Sequence, residues 1–370
     1  MDVETFDLNK FEVNNSFYEE MDLLITIKSF DLQSIRNRYI KSVKTTANNT
    51  VGSVEKRDSH LGGLALLKIR NGAIISENII TKTKEPRGVD IDGNRWAFSS
   101  ENVIFVIEDD IKYKVENDWF SYIHTVKFSP FNANCILISS SGLDMIFEIN
   151  FKTNQVIREW CAWENGFSLS YYKEDGTDLF LTRNENIAEK YKAENKKYLL
   201  IKDAKTDFLP TAKRAAFINS IAYHPRDKNK CLATFFHEGS VREIDFETGE
   251  STILHQGMQS PHGGMFVGET LIVTNTRGGE VIKKSKEKTK VFSFKNLEGK
   301  PDYLSEKEWI QNSILTKDKV IAIDSNRNQF VIIDENKKQV SKVDYNLSWA
   351  VQDIMILENE TVLKSIENYA

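Results

Sequence analysis

Histidine is the side chain whose charge changes near neutrality, and this chain has six: His60, His124, His224, His237, His255 and His262. His124 and His262 each open an aliphatic segment, His124-Thr-Val-Lys-Phe-Ser-Pro130 and His262-Gly-Gly-Met-Phe-Val267. His237 lies in a turn, His237-Glu-Gly239, between two further segments of that kind. Imidazoles so placed are suited to proton transfer or to holding a transition metal. Arg87, Arg183, Arg277 and Arg327 occupy comparable places at segment starts and turns. A guanidinium fork there matches a carboxylate, sulfate or phosphate. The chain has no GxSxG elbow, no phosphate-binding loop, no dinucleotide fingerprint, and no HExxH or paired-cysteine spacing. Triad, nucleotide and structural-zinc chemistry therefore gain no support.

Residues this far apart need elements that bring them together. An aliphatic strand, an acidic or turn-forming pair and a second strand recur along the chain. The clearest copies are Met145-Ile-Phe-Glu-Ile-Asn-Phe-Lys-Thr-Asn-Gln-Val-Ile157 and Ser240-Val-Arg-Glu-Ile-Asp-Phe-Glu-Thr-Gly-Glu-Ser-Thr-Ile253. Weaker copies begin at Gln329 and Leu64. Several strands in each repeat of about 40 to 50 residues predict an all-β chain, a β-propeller built of four-stranded meanders.

Laid in register, the copies place blade starts near 87, 124, 165, 219, 262, 311 and 350. Too little chain follows Trp349-Ala-Val-Gln-Asp-Ile-Met-Ile-Leu357 to complete a blade. Segments 22–28, 63–69 and 76–80 supply the remaining strands, so N-terminal and C-terminal strands pair in one closing blade and leave no free edge. This predicts a seven-bladed propeller spanning 1–370 as a single domain. The closing blade is completed by 22–80, and 30–58 is an insertion able to fold over the channel mouth as a lid. Six blades with an insertion around Asn184 to Arg214 is the alternative, because the copy starting at Asn165 is the weakest.

The segment His124 to Pro130 resembles the first strand of a WD repeat, although the Trp-Asp dipeptide that ends such repeats is absent. Gly239-Ser-Val-Arg-Glu-Ile-Asp-Phe-Glu-Thr-Gly-Glu250 is similar to the blades of NHL and gluconolactonase-type propellers. The resemblance implies the fold over most of the chain and brings no catalytic motif. Propellers of these kinds include lactonases, lyases, synthases and inert scaffolds.

In such a blade, the loop before the innermost strand and the loop between the second and third strands open on one face. That geometry gathers His60, His124, His237 and His262, the four arginines, and the amides Asn165, Asn219, Gln311 or Asn312, and Gln352 around one channel mouth. The expectation is a small-molecule site for a polar or anionic substrate. His124, His262 and His237 would move protons, and Arg87, Arg277, Arg327, Asn219, Asn165 and His60 would bind substrate. His124 and His262 are also candidate ligands for a divalent metal, Zn, Fe or Cu in preference to Ca. Glu101, Asp144, Glu238 and Asp324 are the nearby loop carboxylates. The enzyme reading is of hydrolase, lyase or synthase type. The alternatives are a ligand sensor, a protein-interaction scaffold using the same face, and a water-filled channel.

A net charge of −5 without a basic stripe argues against nucleic acid as a partner. No apolar run approaches the ~20 residues of a membrane span, and the first residues lack the basic-then-apolar pattern of a leader. Cys135, Cys161 and Cys231 show no pairing motif, and buried thiols in a reducing compartment follow. A cytoplasmic protein with no membrane partner is expected. A hydrophobic fraction of 40%, with 22 Phe, is ample for a large core.

Overall fold

Strands such as Cys135–Ser140 and Val320–Asp324 are buried at every position, which requires apolar cover on both faces of their sheets. The computed structural model describes residues 2–45, 52, 58–173, 176–304, 307–316 and 318–369, and among these it supplies that cover by stacking blades around an axis. Six blades of four antiparallel strands are present, two of them extended to five strands by a parallel segment from the N-terminal region. Blade 1 comprises Val89–Asp92, Arg95–Ser100, Val103–Glu108 and Ile111–Val115. Blade 2 runs from Ile123 to Cys161, blade 3 from Ile218 to His255, blade 4 from His262 to Ser293 and blade 5 from Ile310 to Asp344. Their innermost strands pack each on the next in a closed cycle.

Blade 6 closes the ring. Its innermost strand is Ala350–Leu357, and its outer three are Met21–Ser29, Leu61–Arg70 and Ala73–Lys84. Ile354 faces Ile25 and Met355 faces Leu24 across the closing pair. The apolar core lies in wedges between blades. Leu23, Ile25 and Leu67 of blade 6 meet Ile321, Ile323 and Ile332 of blade 5, and Leu24, Leu64 and Leu66 meet Trp96 and Phe98 of blade 1.

The expected seventh blade is not formed, and six blades plus an insertion describe the chain. Residues 167–216 instead carry Leu179–Thr182 and Lys197–Leu200, paired parallel and joined by the helix Glu185–Ala193. A parallel pair needs such a crossover, whereas a blade needs hairpins. Asn184 starts the helix by accepting from the amides of Asn186 and Ile187. The innermost strand of blade 2, Ile123–Phe128, packs directly on that of blade 3, Ile218–Tyr223, so no place is left between them.

Two further strands precede blade 6. Asp2–Asp7 runs parallel to the outermost strand of blade 4 and Glu12–Val13 parallel to that of blade 5. Phe6 stacks on Phe292 with centroids 5.3 Å apart, and Leu8 is buried. Within the expected lid, Leu32–Thr45 is a helix, started by Asp31, which accepts from the Ser34 amide at 2.9 Å. Its Leu32 and Ile35 pack with Ala350 and Trp309 at the channel mouth. Arg36 donates to the carbonyls of Ser325 and Asn326 and to Asn328 in blade 5. The rest of the expected lid, apart from Gly52 and Asp58, lies outside the described residues. No helix among the described residues is long and apolar enough to cross a membrane.

Ile354 is fully buried in the closing pair. Ile354→Ala is expected to cost about 2–5 kcal/mol, read as a lower urea midpoint. An unchanged midpoint would contradict the role assigned to this pair.

Candidate functional site

The channel mouth is shaped first by backbone. Tyr122 and Phe217 immediately precede the innermost strands of blades 2 and 3, and both adopt left-handed conformations, with φ of 57° and 50°. Bulky residues rarely do so unless the surroundings hold them. At Phe217 the hold is visible: the carboxylate of Asp144 accepts from the amides of Ala215, Ala216 and Phe217 at 2.8, 3.2 and 2.6 Å. The Trp163 indole donates to the same carboxylate. Burial raises the pKa of Asp144, and Arg214 and these donors oppose the rise. At Tyr122 two guanidiniums meet the ring, with the central carbon of Arg87 3.5 Å and that of Arg214 4.5 Å from its centroid.

These rings wall a cavity of about 170 Å³. Three cations line it: Lys28 from blade 6, Arg38 from the helix Leu32–Thr45 and Arg277 from a turn of blade 4. Tyr122, Phe217, Phe236 and Trp309 form its aromatic wall. Gln311 accepts from the Trp309 indole at 2.7 Å. Gln352 is 5% exposed and its Oε1 finds no donor among the described residues. Among the described residues no carboxylate lines the cavity.

Both lining imidazoles are neutral. His124 Nδ1 lies 3.2 Å from the Tyr122 carbonyl. A carbonyl only accepts, so Nδ1 carries the proton and Nε2 keeps its lone pair. Burial, then Arg87, then His262 hold the His124 pKa well below its ordinary value. His262 Nδ1 shares a hydrogen bond of 2.8 Å with the Thr276 hydroxyl. Burial and Lys28 push its pKa down to about 3. The result is an unprotonated base beside three cations.

Of the residues expected at the mouth, His124, His262, Arg277, Gln311 and Gln352 line the cavity, and the other candidate site residues are engaged elsewhere. His237 donates from Nε2 to the Thr211 carbonyl at 2.9 Å and stacks on Tyr171, so it fastens the insertion. Arg87 is fully buried, ion-paired with Glu85 and placed against Tyr122. Arg327 gives its donors to Glu308, Asp324 and the carbonyls of Phe294 and Leu297. Arg183 is held by Glu159 and Glu164. Asn219 donates to the Pro261 carbonyl and Asn165 to that of Cys161. His60 accepts from Arg38 and so orients a cavity cation without lining the cavity itself.

The four candidate carboxylates are likewise engaged. Asp144 caps backbone amides, Asp324 pairs with Arg327, Glu238 with Arg242, and Glu101 accepts from Ser59. Among the described residues no group of three or more His, Cys, Asp or Glu is placed to hold a metal. Among the described residues, His124 and His262 have no third donor beside them of the kind such a metal takes.

Lys28, Arg38, Tyr122, Phe217, Phe236 and Trp309 were not singled out by residue type and spacing. Tyr122 and Phe217 carried a usable signal, because each sits two positions before a strand start already assigned to this face, His124 and Asn219.

No family model matches the sequence, and no curated protein matches it. Similar solved structures span the chain. One is a chain of a nidogen/laminin complex, 10% identical, with a TM-score of 0.54 over 90% of this chain and 98% of that one. Another is a protein of unknown function from Bacteroides caccae, 12% identical, with a TM-score of 0.51 over 92% and 100%. Virginiamycin B lyase from Staphylococcus aureus is 12% identical over 70% and 84%, with a TM-score of 0.40. The chain is a β-propeller, and at these identities the likeness is one of fold.

Two outcomes test this account of the mouth. Arg327→Leu leaves Asp324 and Glu308 buried without their cation, and is expected to cost about 3–5 kcal/mol in denaturant unfolding. An unchanged midpoint would remove the structural role of Arg327. The second concerns pH. An unfolded imidazole protonates near its ordinary value of about 6.5, whereas folded His262 does so only at about 3. Between those values the unfolded state binds more protons, so this contribution to stability is lost as pH falls, by up to about 1.4 kcal/mol per pH unit. His262→Gln is therefore expected to show a smaller drop in Tm than the parent between neutral pH and about pH 5. An equal drop would show that His262 is not held neutral.

Proposed function

We propose that the protein is a small-molecule-binding propeller of enzyme type, which takes a polar organic anion into the channel mouth and uses His124 as proton acceptor. The observation that carries this is that Arg277, whose buried Nε finds no acceptor among the described residues, lines the same cavity as an imidazole whose Nε2 is unprotonated. In a site of low dielectric the cations favour an anion and also favour negative charge that develops in it. Nε2 of His124 supplies the acceptor that acid–base chemistry needs. A volume of 170 Å³ holds about six waters, which suits a small metabolite and is too little for a nucleotide cofactor. A scaffold on this face would present its aromatics outward, whereas four rings here wall the cavity. Three buried free thiols accord with the cytoplasm as its compartment.

A thermal-shift screen of small organic acids is expected to find carboxylates that raise Tm, with calorimetry of the best one on Arg277→Gln showing binding weakened by about tenfold or more. Failure of every organic anion to bind would end the proposal. Mass spectrometry of a metabolite mixture incubated with the protein is expected to show one acid consumed by the parent and not by His124→Gln. Equal consumption by both would remove His124 from the chemistry.

A further inference from the structure

The run Lys283-Lys-Ser-Lys-Glu-Lys-Thr-Lys290 has no part in the channel mouth, and its charges are used unequally. Lys283 and Lys290 pair with Glu335 of blade 5 at 2.7 and 3.2 Å, and Lys288 pairs with Glu4 at 2.6 Å. Successive side chains on a strand face opposite sides. Lys284 therefore turns toward blade 3, where its ammonium donates to the Leu254 carbonyl at 2.6 Å. Among the described residues neither Lys284 nor Lys286 has a carboxylate partner.

Both lysines line a second cavity, of about 390 Å³, between blades 3 and 4. It shares no lining residue with the first. It lies at the blade ends away from the mouth, because residues 224–226 and 268–269 follow the innermost strands that start there. Leu254, Phe266 and Leu271 give it an apolar wall. Glu269 is the one acid that lines it among the described residues, and Arg226 pairs with Glu269 at 3.3 Å. His224 accepts the Arg226 amide on Nδ1 at 3.3 Å, so its proton sits on Nε2, which faces Glu243 at 3.6 Å.

Two ammonium groups and an apolar wall remain without a counterpart. Lysine binds phosphate as a point charge, and a phosphate monoester carries a charge of about −1.5 to −2 near neutrality, which two lysines balance. A carboxylate would leave one of them over. The bond to Leu254 already holds the Lys284 side chain, so little of its freedom is lost on binding. The volume equals that of about thirteen waters, room for a phosphate together with a short apolar body.

We infer that the cavity between blades 3 and 4 binds a small phosphate monoester with an apolar body, its phosphate at Lys284 and Lys286 and its body against Leu254, Phe266 and Leu271. This site is separate from the channel mouth and does not rest on the function proposed for it.

Calorimetry on the full chain with n-hexyl phosphate, hexanoate and inorganic phosphate tests it. Hexyl phosphate is expected to bind most tightly. Hexanoate is expected to be weaker by about fivefold or more for its smaller charge, and inorganic phosphate by about tenfold or more for its missing body. Lys284→Gln and Lys286→Gln change side chains outside the buried core, and each is expected to weaken hexyl phosphate by about fivefold. Arg277→Gln, at the mouth, is expected to bind it as the parent does. Hexanoate or inorganic phosphate binding as tightly as hexyl phosphate overturns the inference, and so does full affinity in both lysine variants or no binding to the parent. Loss of binding in Arg277→Gln would place the ligand at the mouth, which overturns this site and supports the other.

Discussion

The pairing of Ala350–Leu357 with Met21–Ser29 is the constraint on which the remaining structure depends. A propeller has no central core. Its apolar contacts are wedges between adjacent blades, and each wedge exists only while its neighbours are held at a fixed angle. One missing innermost strand would open the ring and release that angle everywhere. The same pair also builds the site. Lys28 lies near the end of one of its strands, Gln352 lies near the start of the other, and Ala350 is part of the surface on which the helix Leu32–Thr45 rests. Closure of the ring and assembly of the cavity are one event.

Burial acts in two directions at the mouth. It holds His124 and His262 neutral, and it also leaves the field of Lys28, Arg38 and Arg277 less screened than at an open surface. Two acidic side chains near the mouth serve the surrounding frame, Asp144 on three backbone amides and Asp324 on Arg327.

Much of the fold was legible because the blade phrase is long and repetitive. Met145 to Ile157 and Ser240 to Ile253 fall on paired third and fourth strands. The segment after Asn165 misled because periodicity does not distinguish a parallel strand from an antiparallel one. Leu179–Thr182 is as aliphatic as a blade strand, and only the helix between the two strands reveals the crossover. His124, His262 and Arg277 were legible from their positions at strand starts and turns. Arg87 and Arg327 occupied equally good positions. Whether a guanidinium is free depends on partners such as Glu85 and Glu308, and blade register does not report those. Asp324 and Arg327, three residues apart in one turn, did carry a local hint of their pairing.

The parallel strands at Asp2–Asp7 and Glu12–Val13 give synthesis an unusual order. Their partners, Lys288–Ser293 and Gln339–Val340, leave the ribosome hundreds of residues later, an interval on the order of tens of seconds. Until then the early segment holds an unpaired backbone edge together with Phe6, Leu8 and Phe11. Asp2, Glu4, Asp7 and Glu12 alternate with these apolar residues, and charge spaced in this way discourages a strand from pairing with a stranger. The acidity of the first residues protects a strand kept waiting for its place.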